Sequence, residues 1–196
     1  MKIISFEGIE GVGKSTQISL LKDHLESNDL SVEVFREPGS TVAGEKIRDI
    51  LLDTSNVLTN ETELLLMFAA RAELVNNKIH DNASDYLLLD RFYDASIAYQ
   101  GHGRNLSIPL INSLISFIQC PIPDISFLLD ISVEEGFARK TNDKKDRIES
   151  SSKAFFNRVR EGYLSIANEN NNRFTTLDAS LDIDEIHKKI VEIINI

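Results

Sequence analysis

The run from Gly8 to Ser15 is rich in glycine and fits the pattern G-x-x-x-x-G-K-[S/T] at every fixed position. In such a loop, successive backbone N–H groups converge on phosphate oxygens, and the lysine reaches the β- and γ-phosphates. Lys14 is that lysine, and the hydroxyl of Ser15 can ligate Mg²⁺. The alternative is a glycine turn that joins a strand to a helix and binds nothing. Strand, loop and amphipathic helix follow in order, which favours a nucleoside triphosphate site formed by Gly8, Ile9, Glu10, Gly11, Val12, Gly13, Lys14, Ser15 and Thr16.

A second chemical group follows the apolar run Leu87 to Leu89, where Asp90 and Arg91 end a predicted strand. Proteins with this type of loop hold a carboxylate near the metal at the corresponding strand end, and an arginine can form a fork on a phosphate. A plain ion pair at the strand end is the alternative. We expect Asp90 to be catalytic and to share the metal with Ser15, and Arg91 to bind phosphate.

Other segments could bind an acceptor molecule. Arg36-Glu37-Pro38-Gly39 follows the second predicted strand, and Arg48 lies on the next predicted helix. Phe68 and Arg71 are three residues apart, so they share a helix face and could present an aromatic platform beside a hydrogen-bond donor to a planar base. A core phenylalanine beside a surface arginine is the alternative for that pair.

Residues 139–147 contain five cations among nine residues, and Arg139 and Arg147 are the two arginines. Such a run is often only a solvated loop. Phosphoryl transfer, however, spreads negative charge over the moving group, and catalysis then depends on positioning and on cations. We therefore expect a lid over about residues 139–150, with Arg139 as the first candidate for the catalytic cation and Arg147 as the second.

Short β-rich runs alternate with longer helical patterns, which predicts an α/β fold with a five-stranded parallel sheet and helices on both faces. Asn60 and Ser132 each precede a glutamate by three residues, the spacing of a helix-capping box. The predicted strands are 2–6, 31–35, 86–89, 125–129 and 173–177. The predicted helices are 14–26, 42–52, 61–79, 109–118, 133–140, 153–167 and 184–194. In such sheets, ligands bind beyond the carboxyl ends of the strands.

Composition limits the class of protein further. The chain has 196 residues, 42% of them hydrophobic, and a net charge of −10, which predicts one globular domain over residues 1–196. Such an acidic surface disfavours nucleic acids and anionic membranes as partners. Cys120 is the single cysteine, and we find no signal peptide or long apolar span, so we expect a cytoplasmic protein.

The loop alone does not say how the triphosphate is used. A GTPase switch would show D-x-x-G and N-K-x-D, and neither occurs; Asn77 to His80 comes nearest but lacks the aspartate. The length leaves little room for the accessory domains of motors. A compact phosphotransferase is favoured, and a nucleotide-binding regulatory module without turnover remains the alternative from another class.

Taken together and in order, several segments resemble the thymidylate kinase family in its bacterial form. They cover the chain from Met1 to about Tyr163. The segments are Phe6 to Thr16, Arg36 to Gly39, Phe68 to Arg71, Asp90 to Phe92, Ser96 to Gly101, and Asp146 to Glu149.

The resemblance implies a P-loop fold and Mg²⁺-dependent transfer of the γ-phosphoryl group of ATP to dTMP, giving dTDP for dTTP synthesis. It also implies a homodimer, and another nucleoside monophosphate kinase is the alternative enzyme. By resemblance, Arg48 and Arg91 hold the dTMP phosphate, and Phe68 stacks on thymine while Arg71 bonds its carbonyl edge. The other implied contacts with dTMP come from Glu10, Glu37, Pro38, Ser96, Tyr99 and Gln100.

Overall fold

The computed structural model describes residues 1–140 and 145–195 and contains five parallel strands. The strands are β1 (Lys2–Glu7), β2 (Val32–Arg36), β3 (Tyr86–Asp90), β4 (Ile125–Asp130) and β5 (Phe174–Asp178). Their order in the sheet is β2-β3-β1-β4-β5. The predicted α/β fold with a five-stranded parallel sheet is confirmed, and each strand lies within one residue of its predicted bounds.

Eight helices connect and flank these strands within the described residues. The helices are α1 (Lys14–Glu26), α2 (Val42–Leu52), α3 (Asn60–Leu74), α4 (Tyr93–Ser96), α5 (Ile108–Ile118), α6 (Val133–Arg139), α7 (Lys153–Glu169) and α8 (Ile183–Ile194). Two of them continue into wider π-helical turns: α3 into Val75–Ile79, and α4 into Ile97–Gly103. No helix in this part of the chain is long and apolar enough to cross a membrane.

The strand residues alternate between two apolar layers, which places helices on both faces of the sheet. Ile4 and Leu88 contribute to the layer that α1, α7 and α8 cover. Ile3, Leu87 and Leu89 contribute to the layer that α3 and α5 cover. Because all five strands are parallel, their carboxyl ends lie at one edge of the sheet, where β1 leads into the glycine loop and β3 leads into Arg91.

Two local expectations differ from the structure. The prediction that Asn60 caps α3 is wrong: Thr59 is the cap, its hydroxyl accepts a hydrogen bond from the Thr62 N–H, and Asn60 is the first helical residue. The capping role of Ser132 is confirmed, because its hydroxyl accepts from the Glu135 N–H. The helical segment from Tyr93 to Gly103 was not predicted, although it contains three candidate site residues.

Helix α8 closes the apolar layer over α1 through its inward face. Ile190 is fully buried in that layer, whereas Ile193 on the outer side is 40% exposed. The amide of Gln17 on α1 also donates to the carbonyl of Ile183 at the start of α8. The docking of this helix therefore depends on buried apolar surface.

Ile190→Ala should lower the free energy of unfolding by about 3 kcal/mol, because it removes a buried side chain and leaves a cavity. Ile193→Ala is the matched control and should cost less than about 1 kcal/mol, because that side chain already contacts solvent. Urea denaturation of both variants measures the difference, and equal losses would contradict the proposed packing.

Candidate active site

The glycine loop lies between β1 and α1 and packs closely against the backbone of β4 and α6. Gly11 has φ 76°, and a Cβ there would lie 1.9 Å from the carbonyl oxygen of Gly136 on α6. Gly8 has φ 131°, and its Cβ would lie 2.4 Å from the carbonyl oxygen of Leu129 on β4. Glycine is therefore required at both positions by backbone conformation and by space. Gly13 caps the N-terminus of α1 with a left-handed backbone.

Lys14 lies at the first position of α1 and is buried in the loop. Its ammonium donates to the carbonyl oxygens of Ile9, at 2.9 Å, and Gly8, at 3.2 Å. Burial and the nearby Arg91 cation lower the pKa of Lys14 to about 8. A charged phosphate beside this ammonium would favour its protonated form, so the loop suits a polyphosphate ligand.

Ser15 and Asp90 meet at the inner end of the loop, where the Ser15 hydroxyl donates to the Asp90 carboxylate at 3.2 Å. Both supply hard oxygen atoms beside Lys14, which is the donor chemistry that Mg²⁺ prefers. Among the described residues there is no cluster of three or more His, Cys, Asp or Glu that could hold a metal. The two oxygen donors of Ser15 and Asp90 fit Mg²⁺, which is commonly bound by one or two protein ligands together with substrate phosphates.

Arg91 follows β3 with a left-handed backbone, φ 68°, which is unfavourable for a residue with a side chain. Its guanidinium donates to the Gly8 carbonyl at 2.7 Å, to Glu10 at 3.0 Å and to the Tyr163 hydroxyl at 3.1 Å. The Tyr99 hydroxyl donates to the same Glu10 oxygen at 2.7 Å. The second oxygen of Glu10 is buried without a hydrogen-bond partner among the described residues, so it can accept one from a ligand.

Glu7 lies directly beneath this arginine, at the end of β1, and is fully buried. Its carboxyl oxygens accept hydrogen bonds from the Phe92 N–H, at 2.8 Å, and from the Tyr163 hydroxyl, at 3.0 Å. Burial and the nearby Asp94 raise the pKa of Glu7 to about 8. Glu7 therefore supports the turn that positions Arg91, a role that its spacing in the sequence did not indicate.

Arg71 and Glu37 form a buried ion pair, with 2.7 Å between the nearest nitrogen and oxygen. Arg71 also donates to the Ser96 hydroxyl at 2.9 Å, and its guanidinium lies 4.7 Å from the centre of the Phe68 ring. The structure thus brings together Glu37, Phe68, Arg71 and Ser96. Phe68 itself packs in the apolar layer below α3, and its neighbour Met67 lines the cavity instead.

Two arginines from neighbouring elements, Arg36 at the end of β2 and Arg48 on α2, line the same cavity. Arg48 on α2 donates to the carbonyl oxygen of Pro38 at 2.9 Å. Burial and the nearby Arg36 lower the pKa of Arg48. Arg36 is held by Glu45 at 2.8 Å. These contacts hold the two guanidinium groups near the end of β2, and both arginines line the same cavity as the phosphate loop.

The predicted lid is described only at its two ends, because Thr141 to Lys144 lie outside the described residues. Arg139 donates to the Ala179 carbonyl at 2.8 Å and lines the cavity. Lys140 forms an ion pair with Glu149, which connects the two ends. Arg147 lies differently: it donates to the Leu51 carbonyl at 2.7 Å and to Glu63 at 2.8 Å, and it is not among the residues that line the cavity.

Most of these groups surround one cavity of about 430 Å³, a size that suits small-molecule ligands. The predicted residues that line it are Glu10, Gly11, Gly13, Lys14, Ser15, Thr16, Glu37, Pro38, Arg48, Arg71, Asp90, Arg91, Ser96, Tyr99, Gln100 and Arg139. The predicted residues that do not line it are Gly8, Ile9, Val12, Phe68 and Arg147. Other lining residues are Arg36 from the predicted acceptor segment and Lys140, Asp146, Ile148 and Glu149 from the predicted lid, and no motif indicated Leu52, Met67 or Ala95.

Comparison with known proteins gives one consistent result. The family model described as "Thymidylate kinase" matches residues 6–190. A thymidylate kinase of Prosthecochloris aestuarii is 46% identical, with 97% of this chain and 92% of the relative covered. One from Kosmotoga olearia is 42% identical over 96% of this chain and 93% of the relative. The crystal structure of thymidylate kinase from Ehrlichia chaffeensis superposes with a TM-score of 0.81 at 31% identity, covering 100% of this chain and 98% of the other.

The raised pKa of Glu7 predicts a pH dependence of stability. Between pH 4.5 and about 8, the folded state retains a proton on Glu7 that the unfolded state has lost, so stability falls as pH rises. Glu7→Gln should remove this contribution, which has a slope of up to about 1.4 kcal/mol per pH unit. Urea denaturation at several pH values measures it. Glu161→Gln, at an exposed position of α7, should leave the slope unchanged; wild-type and Glu7→Gln curves that run parallel would contradict the prediction.

Proposed function

The chain belongs to the thymidylate kinase family of nucleoside monophosphate kinases, and we propose that its cavity transfers the γ-phosphoryl group of ATP to dTMP. One observation carries this proposal: a single cavity joins the phosphate loop at Lys14 to the polar group formed by Arg71, Ser96 and Gln100. A triphosphate at one end and a planar base at the other would bring the two phosphate groups together between them. Arg91 and Arg48 line the space between the two ends.

The acceptor nucleotide is proposed to bind with its base near Arg71 and Ser96 and its phosphate near Arg48 and Arg91. Arg71 would present a remaining N–H donor toward the carbonyl edge of thymine, and the Ser96 hydroxyl lies 2.9 Å from its guanidinium. Stacking of Phe68 on thymine stays a prediction, because in this structure the Arg71 guanidinium covers the Phe68 ring. Glu37 and Pro38 would support this end of the site, since Glu37 holds Arg71 and the Pro38 carbonyl holds Arg48.

The sugar is proposed to lie near Glu10 and Tyr99, whose side chains are hydrogen-bonded to each other at 2.7 Å. The free oxygen of Glu10 can accept a hydrogen bond from the 3′-hydroxyl. The ring of Tyr99 lies 4.9 Å from the Arg91 guanidinium and would crowd the 2′ position, which favours deoxyribose.

The chemistry requires no general base, because the attacking phosphate oxygen of dTMP is already ionised near neutral pH. That oxygen forms a bond to the γ-phosphorus while the bond between the γ-phosphorus and its bridging oxygen breaks, and ADP leaves with the electron pair. Lys14 and Arg91 would balance the charge of the moving group, and Arg139 would add a cation from the lid. Asp90 would orient the reacting phosphates through its position beside Ser15.

Ser15 and Asp90 would hold Mg²⁺, because their oxygen atoms meet beside Lys14. When bound, Mg²⁺ would supply positive charge that offsets the negative charge of the reacting phosphates.

Residues 1–196 would act as one kinase domain with the lid at about 139–150, and Arg147 stays the second candidate for its catalytic cation. A homodimer is supported by exposed apolar side chains on α3 and α5, among them Leu65 and Phe117. A cytoplasmic location is supported by the single cysteine, Cys120.

A panel of nucleoside monophosphates tests the proposed activity. We expect ATP turnover that depends on Mg²⁺ and is fastest with dTMP, compared with dUMP, CMP, UMP, GMP and AMP in a coupled assay. Preference for another monophosphate would indicate a different kinase of this class. Slow ATP hydrolysis that no monophosphate stimulates would instead indicate a nucleotide-binding protein without transfer activity.

Arg71→Lys should raise KM for dTMP about tenfold and leave KM for ATP unchanged, because lysine keeps the charge near Glu37 but loses the planar fork of donors. The substitution to lysine avoids leaving Glu37 buried without a cation. Arg158→Lys is the control, since Arg158 donates to the Gly103 carbonyl outside the cavity. A loss confined to kcat would contradict a role for Arg71 in binding the base.

A further inference from the structure

Glu63 is a buried carboxylate that entered the sequence analysis only as the glutamate three residues after Asn60. It lies in the first turn of α3 and is 1% exposed. Three side chains from other elements converge on it. The Gln100 amide nitrogen donates to its Oε1 at 3.0 Å, Arg104 donates to both oxygens at 3.1 and 3.0 Å, and Arg147 donates to its Oε2 at 2.8 Å.

This environment keeps Glu63 ionised. Burial alone would raise the pKa of Glu63, but hydrogen bonds from Arg104, Gln100 and Arg147, together with the charge of Arg104, outweigh burial and lower it. An ionised carboxylate has acceptor atoms only. Whatever faces Glu63 must therefore be a donor.

Gln100 is the one partner of Glu63 that lines the cavity, and it is itself 1% exposed. A side-chain amide has a donor on one side and an acceptor on the other, and electron density rarely distinguishes them, so its orientation follows from its partners. Since Glu63 accepts only, the NH₂ group of Gln100 faces Glu63. The carbonyl oxygen then occupies the other side of the amide, and Gln100 lines the cavity.

We infer that Glu63 is a positioning residue that fixes the carbonyl oxygen of Gln100 on the cavity side and thereby sets which base the site accepts. This inference rests on the proposed function. With Arg71 as a donor and Gln100 as an acceptor, the site matches a pyrimidine that has a carbonyl at C4 and a hydrogen on N3. Thymine and uracil have that pattern. Cytosine has an amino group at C4 and no hydrogen on N3. Its amino donor would face the Arg71 donor, and its N3 acceptor would face the Gln100 carbonyl.

Glu63→Gln tests the inference with little change of shape. The new amide can either accept from Gln100 or donate to it, so Gln100 is free to turn over. We expect the ratio of kcat/KM for dTMP to kcat/KM for dCMP to fall about tenfold, the range expected when one buried polar group loses its hydrogen bond. The ratio of dTMP to dUMP should stay within about twofold, because these bases differ by a methyl group and not in their hydrogen-bond pattern.

Glu61→Gln is the matched control: it removes the same charge from the same turn of α3 at an exposed position, and both ratios should stay at the wild-type value. Glu63→Asp covers the case in which Glu63→Gln does not fold. It keeps the charge for Arg104 and Arg147 but withdraws the carboxylate from Gln100, so the dTMP to dCMP ratio should fall by an intermediate amount.

The outcomes separate cleanly. A fall in the dTMP to dCMP ratio alone supports the inference. Equal losses with dTMP, dCMP and dUMP, or an unchanged dTMP to dCMP ratio in the folded variant, would show that Glu63 only stabilises the fold and would overturn it. A wild-type enzyme that does not prefer dTMP to dCMP would instead contradict the proposed function itself.

Discussion

Ion pairs between buried carboxylates and arginines from other elements hold the cavity together. Glu37 at the end of β2 pairs with Arg71 on α3, and Glu10 in the phosphate loop pairs with Arg91 after β3. A buried charge that loses its partner destabilises a protein by several kcal/mol, so each pair requires both of its elements to be in place. These ion pairs, together with apolar packing, thus fix the positions of the phosphate loop, of Arg91 and of the base site.

This arrangement explains how an acidic chain can bind two polyanionic substrates. The net charge of −10 belongs to the whole chain, whereas the cavity contains Lys14, Arg48, Arg91, Arg139 and Lys140. Two of the carboxylates that line the cavity, Glu10 and Glu37, are themselves paired with arginine. The negative net charge disfavours binding of a nucleic-acid polymer, because a polymer contacts a broad surface. It does not describe the charge of a site that encloses one nucleotide.

Local patterns in the sequence were sufficient for most elements, and they were not sufficient for the segment from Tyr93 to Gly103. Parallel strands and amphipathic helices each have a period that the buried positions repeat, so β1 and α1 could be placed directly. In contrast, Ile97–Gly103 forms a π-helical turn with a different period, and it follows a helix of only four residues. That turn places Tyr99 and Gln100, which are adjacent in sequence, side by side on the cavity wall.

The sequence by itself determined the phosphate loop, the Asp90-Arg91 strand end and the succession of strands and helices along the chain, because each depends on neighbours within a few residues. Only the tertiary structure decided that Glu7 supports Phe92 and Tyr163, that Arg147 reaches Glu63, and that Phe68 lies behind Arg71. The partners in the first two cases are 84 to 156 residues apart. Contacts over such distances depend on the strand order β2-β3-β1-β4-β5 and on which helices cover each face, and no local spacing encodes them.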